Sequence, residues 1–226
     1  MLPNTQNTQS ILKKTLVACG LSLALSGCVI HVGGGHEDGH VSSIFGEASV
    51  SSGKTVGDVS SVNGGVELND DVSAENIDSV NGDVDIGDRV TVANINVVNG
   101  DIDVGENFRA QSNLESVNGD IEIAENGNIE GSIITVNGDI DIRETNVGQD
   151  LRTTNGSLTI VDNSVINGDI IYERVSRNKW SRNNLPTLRI DSSSSVNGEI
   201  ILRRQVNLEI ENPALRATVV ERFSQE

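Results

Sequence analysis

The phrase Ser79-Val80-Asn81-Gly82-Asp83-Val84-Asp85-Ile86 returns with small changes as Val97 to Val104, Ser116 to Ile123 and Thr135 to Ile142. Its second half alternates acid and aliphatic residues with period two. Val84 and Ile86 therefore face one side of a short strand and the acids the other, which excludes a helix there. Asn-Gly tolerates positive φ and marks a sharp turn. Working outward, a series of Asn-Gly dipeptides runs through Asn63, Asn81, Asn99, Asn118, Asn137, Asn155, Asn167 and Asn197, at steps of 18, 18, 19, 19, 18, 12 and 30. An aliphatic residue recurs four positions before the Asn, as at Ile77, Ile95, Leu114, Ile133 and Leu151. Isolated hairpins also use Asn-Gly, but they need no constant step. A solenoid does, because each coil stacks on its predecessor and repeats the corner in register. Since 18 is three sixes and 12 is two, each coil reads as three short sides. The expected fold is all-β, a single-stranded parallel β-helix with about 18–19 residues per coil. Seven or eight coils would stack to roughly 35 Å at a strand spacing of about 4.8 Å.

Composition agrees with that plan. Of 226 residues 36% are hydrophobic but only 2% aromatic, so the core must be built from Val, Ile and Leu. Gly (23) is frequent and Pro (3) scarce, as regularly placed turns require. The formal charge of −17 repels phosphate backbones, and nucleic acid is not an expected partner. The charge is unevenly spread: residues 28–150 hold 24 acids and 4 bases, a balance of −20, whereas residues 151–226 hold 9 acids and 10 bases, a balance of +1.

The N-terminus is of another kind. Lys13 and Lys14 precede an apolar run, Leu16 to Leu25, that is shorter than the roughly 20 residues a spanning helix needs and has the form of a secretory signal. Its ending, Leu25-Ser26-Gly27-Cys28, resembles the lipobox of bacterial lipoproteins. That resemblance implies a mature chain starting at a lipidated, palmitate-bearing Cys28, with Val29 rather than Asp after it pointing to the outer membrane. Cys19 lies in the run that would be removed, so no disulfide is expected in the mature chain. The expected organisation is a signal peptide at 1–27, a Gly/Ser/His-rich tether at 28–54, β-helix repeats at 55–207 with an insertion near 175–186, and a C-terminal cap at 208–226.

Across residues 61–202 the Val-Asn-Gly-Asp-Ile phrases resemble those of the adhesin-type β-helix domain of bacterial envelope lipoproteins. A looser likeness to bactofilins, polymer-forming β-helices, is clearest at Ser195-Val196-Asn197-Gly198-Glu199-Ile200. Both likenesses imply a β-helix, and the first an envelope location. Neither brings a catalytic motif.

Four groups of residues are candidates for chemistry. Residues 48–55, ending Gly53-Lys54-Thr55, match a relaxed phosphate-loop pattern, but that motif works only between a buried strand and a helix N-terminus, and here it lies in a Ser-rich tether with no helix after it. His31, His36 and His40 lie within ten residues beside Glu37 and Asp38 and are candidate ligands for a weakly bound transition metal. Asp83 and Asp85, Asp101 and Asp103, Asp120 and Glu122, and Asp139 and Asp141 recur at one corner, so stacking would set them in two columns with coils about 5 Å apart. Such columns are candidate weak calcium sites, or else a solvated face that keeps the solenoid soluble. Arg174, Arg177, Lys179 and Arg182 surround Trp180, the chain's one Trp, in the insertion. They suit an anionic glycan, an acidic envelope protein or the acidic face of another copy. No histidine falls in the repeat, and equivalent carboxylates do not separate an acid from a base. No catalytic residue is assigned and no cofactor is required. The expected function is a non-enzymatic, lipid-anchored scaffold or adhesion protein of the outer membrane; the alternative is a polysaccharide-active β-helix enzyme.

Overall fold

The computed structural model describes residues 31–32, 39–175 and 185–223. Over that span the chain is an all-β parallel solenoid of about nine turns, about 19 residues each, with three parallel sheets. One coil shows the plan. Asn76–Asn81 forms its first side, the Asn81-Gly82-Asp83 corner turns the chain, and Val84–Ile86 forms the second side. A second corner passes through Arg89, Thr91–Val92 forms the third side, and the next coil starts at Asn94. Stacked coils give a first and a second sheet of ten strands each and a third sheet of six, in the order of the three sides.

Register is what makes the core. On the first sheet Val41, Val59, Ile77, Ile95, Leu114, Ile133, Leu151, Ile170 and Ile200 lie over one another, all completely buried. Six of them, from Val59 to Leu151, lie four positions before an Asn of the first corner. The second sheet sends two further columns inward, through Val84 and Ile102 and through Ile86 and Val104. β-Branched side chains fit such a pleated, close-spaced interior, so few rings are needed. Phe108 and Tyr172 are buried within it, and Phe45 is 67% exposed near the N-terminal end.

Beneath the first corner runs an inward column of small polar residues. Ser43 and Ser79 donate their hydroxyls to the carbonyls of Gly46 and Gly82 at 2.9 and 2.7 Å. Ser116 Oγ, at the same register, is buried without a partner, while Val97 fills the equivalent place one coil earlier. Ser116→Val is therefore expected to stabilise the fold by about 1 kcal/mol, because an unsatisfied buried hydroxyl is removed. A higher urea midpoint with an unchanged m-value would show it; a lower midpoint would refute it.

The ends differ from the sequence reading. Val41–Phe45 and Ala48–Val50 pair with Val59–Asn63 and Val66–Leu68, so the first coil starts inside the stretch expected to be tether. At the other end Asn207–Ile210 and Val219–Glu221 extend the second and first sheets, and the only helix among the described residues is Pro213–Arg216. The expected cap is thus largely solenoid, and the turns number about nine rather than seven or eight. The physical reason is that an end coil needs the inward aliphatic pattern but not the full corner: Phe45 stands where the others carry Asn.

The insertion leaves the stack between Ile170–Tyr172 of the first sheet and Thr187–Ile190 of the second, at the position of the Asn-Gly corner. The coils on either side remain paired across it, Leu158 with Leu188 and Ile170 with Ile200.

Candidate functional site

The two expected acidic columns are not equivalent. Asp83, Asp101, Asp120 and Asp139 each accept, through Oδ1, the backbone N–H of the residue above: Asp101 at 2.9 Å, Asp120 at 2.8 Å, Asp139 at 2.7 Å and Ser157 at 2.7 Å. These carboxylates tie the corners of successive coils together. The second column, Glu67, Asp85, Asp103, Glu122 and Asp141, stands in register in the middle of the second sheet and points outward. Partial burial, then Asp83 and Glu67, raises the pKa of Asp85; partial burial, then Asp85, Asp101 and Glu122, raises that of Asp103. A hydrogen bond with Glu67 likewise raises that of Glu47. Among the described residues no group of three or more His, Cys, Asp or Glu side chains is placed to hold a metal ion, so the expected calcium sites find no support here.

The column has a pH signature. A carboxyl whose pKa is raised on folding binds its proton more tightly in the folded chain, so stability grows as pH falls through the folded pKa. Asp71, bound to Arg89, and Asp191, which accepts from Ser194 and Ser193, have lowered pKa values and act in the opposite sense, losing their contribution at lower pH. The melting temperature is expected to rise on acidification toward the top of the ordinary aspartate range, near about pH 4, and to fall below it. Asp103→Asn should raise it at pH 7 and flatten the rise. A wild-type melting temperature that falls monotonically from pH 7 would overturn this account.

The other expected groups are dispersed or lie elsewhere. His40 Nδ1 accepts the backbone N–H of Asp58 at 3.0 Å and lies 3.4 Å from the Asp58 carboxylate. His31 belongs to a two-residue strand, His31–Val32, paired with Ser49–Val50. His36 falls outside the described residues, as do Cys28, Arg177, Lys179, Trp180 and Arg182. Arg174, at the root of the insertion, is exposed.

Sequence reasoning missed the side-chain amides. Asn63, Asn81, Asn99, Asn118, Asn137 and Asn155 form a continuous ladder at the first corner, each Nδ2 donating to the Oδ1 of the preceding Asn at 2.7–3.2 Å. Arg204 Nη1 closes it, donating to Asn155 Oδ1 at 2.8 Å and to the Thr154 carbonyl at 2.7 Å. Asn128, Asn146, Asn167 and Asn197 form a second ladder on the third side. The step of 12 between Asn155 and Asn167 is thus a passage of two sides, from one ladder to the other, and the step of 30 is one coil with its insertion.

Beside the second ladder lies a groove lined mostly by polar residues of four successive coils. One wall is the second corner, where Asn107, Asn126, Glu144 and Asn163 all have φ between 44° and 63°. The other is the outward row of the third sheet, Arg109, Asn128, Asn146 and Val165. The signal was present in the text as Asn at 107, 126, 128, 146 and 163, but only stacking shows that these positions share a surface. No protein-family model, curated protein or solved structure matches this chain.

Proposed function

We propose that this chain is a lipid-anchored, non-enzymatic scaffold of the bacterial outer membrane that presents the faces of a rigid solenoid to envelope or surface partners, an adhesion-type role. The observation that carries the reading is the Leu25-Ser26-Gly27-Cys28 sequence set three residues before the strand His31–Val32. A fully extended chain spans at most about 3.6 Å per residue, so an acyl group on Cys28 would hold that strand within roughly 10 Å of the bilayer surface. The likeness to adhesin-type β-helix lipoproteins agrees. So does the uniformity of the acidic face: Asp85 and Asp103 are raised for the same reason at equivalent positions, whereas acid–base hydrolysis needs two carboxyls in different environments.

Cys28→Ala is the test. The variant is expected to lose acyl labelling, to retain its signal segment and to leave the outer-membrane fraction. A variant that is processed and fractionates like the wild type would sink the proposal.

A further inference from the structure

We propose that the groove along the third side binds an extended, uncharged β-1,4-linked glycan chain, with the amides of Asn107, Asn126, Asn128 and Asn146 as its hydrogen-bonding floor. The lining supplies the chemistry. A primary amide has two N–H donors and two acceptor lone pairs. In the ladder Asn146 Nδ2 donates once to Asn128 Oδ1, at 3.0 Å, and Asn146 Oδ1 accepts once from Asn167. One donor and one acceptor of Asn146 thus stay available for a ligand, and the side chain is exposed. Asn107 and Asn126 are exposed too, and their side-chain amides make no hydrogen bond to the described residues. Paired donor and acceptor capacity of this kind matches the vicinal hydroxyls of a pyranose.

Spacing and charge narrow the class. Each of the four coils, stacked at about 4.8 Å, brings at least one amide to the groove: Asn107, then Asn126 with Asn128, then Asn146, then Asn163. An extended β-1,4-linked pyranose chain advances by a closely similar distance per ring, so successive rings can each meet an amide of the groove. A helical α-linked chain falls out of step. Arg109 and Glu144 bring one charge of each sign to the lining, on a chain whose residues 28–150 carry a balance of −20. A locally neutral groove on so acidic a surface disfavours anionic chains at long range and offers no stripe of bases to a phosphate backbone. The proposal is independent of the anchor, because the groove lies on the solenoid itself.

The second corner makes the test clean. Asn107 and Asn126 sit at φ 58° and 63°, a conformation glycine adopts at no steric cost. Asn107→Gly with Asn126→Gly therefore keeps the backbone and removes both amides. The full chain in mild detergent is titrated calorimetrically with cellohexaose, chitohexaose and maltohexaose. Binding of a β-1,4-linked hexamer is expected, weakened about tenfold or more in the double variant while its melting temperature holds. Cys28→Ala should move the protein and leave this binding intact, which separates the two readings. Absence of binding to both β-linked hexamers, equal binding of maltohexaose, or unchanged affinity in the double variant would each overturn the proposal.

Discussion

Gly119→Val is expected to cost about 4 kcal/mol or more, enough to unfold a domain of ordinary stability. A Cβ on Gly119 would run into the carbonyl of Gly100, with Asp101 Oδ1 also within 2.9 Å. The obstacle is chiefly backbone and cannot rotate away. Gly82, Gly100 and Gly138 are stacked in the same manner, each against the glycine one coil before. In a one-dimensional stack, where each coil touches only its neighbours, prising one pair apart breaks the continuity of all three sheets. Gly39→Ala serves as the control: a Cβ there meets nothing within 4 Å, and the change should fall within about 0.5 kcal/mol. Circular dichroism and denaturant melts of the two variants would decide; a Gly119→Val protein melting within a few degrees of wild type would show that the corner can open.

That glycine column, the inward aliphatic columns and the parallel pairing were all legible in the sequence, because each is written at a constant step. What one coil does to the next was not. Asp83 and Asp85 look alike in the text, both acids alternating with aliphatics. One is turned to the backbone N–H of Asp101 and ties the corner, whereas the other stands outward over Glu67 and under Asp103. The difference lies in the neighbour above, which periodicity does not name. The amide ladders were hidden for a related reason. Asn167-Gly168 and Asn197-Gly198 read as continuations of one series, yet they sit on a different side of the coil: Asn197 donates to Asn167, and Asn167 to Asn146, whose following residue is Val147. The ends were illegible because a terminal coil needs inward aliphatics alone.

Arg204→Ala is the second large effect expected, a loss of about 2–3 kcal/mol. Tyr172 is in register with Leu202, which sets Arg204 at the corner position two residues on, where Asn155 stands two coils earlier. The coil between is the one from which the insertion departs. Arg204 reaches across that gap, 8% exposed, and burial lowers its pKa. Without it the Thr154 carbonyl and Asn155 Oδ1 lose a charged donor just where the chain leaves the stack. Arg204→Lys, with one compact ammonium in place of the fork, should recover part of the loss. Equal urea midpoints for Arg204→Ala and wild type would mean that the insertion coil is held by its strands alone.

The two amide ladders overlap: the first runs from Asn63 to Asn155 and the second from Asn128 to Asn197, so the coils holding Asn118, Asn137 and Asn155 carry both. In mechanical terms this is a scarf joint. A pull along the stack finds no boundary between Asn63 and Asn197 that is crossed by strand pairing alone, and the join between ladders is doubled rather than butted. Failure under tension should then begin at the first or last coil and travel inward one coil at a time, so a single chain stretched by its ends would yield a sawtooth of small steps rather than one rupture.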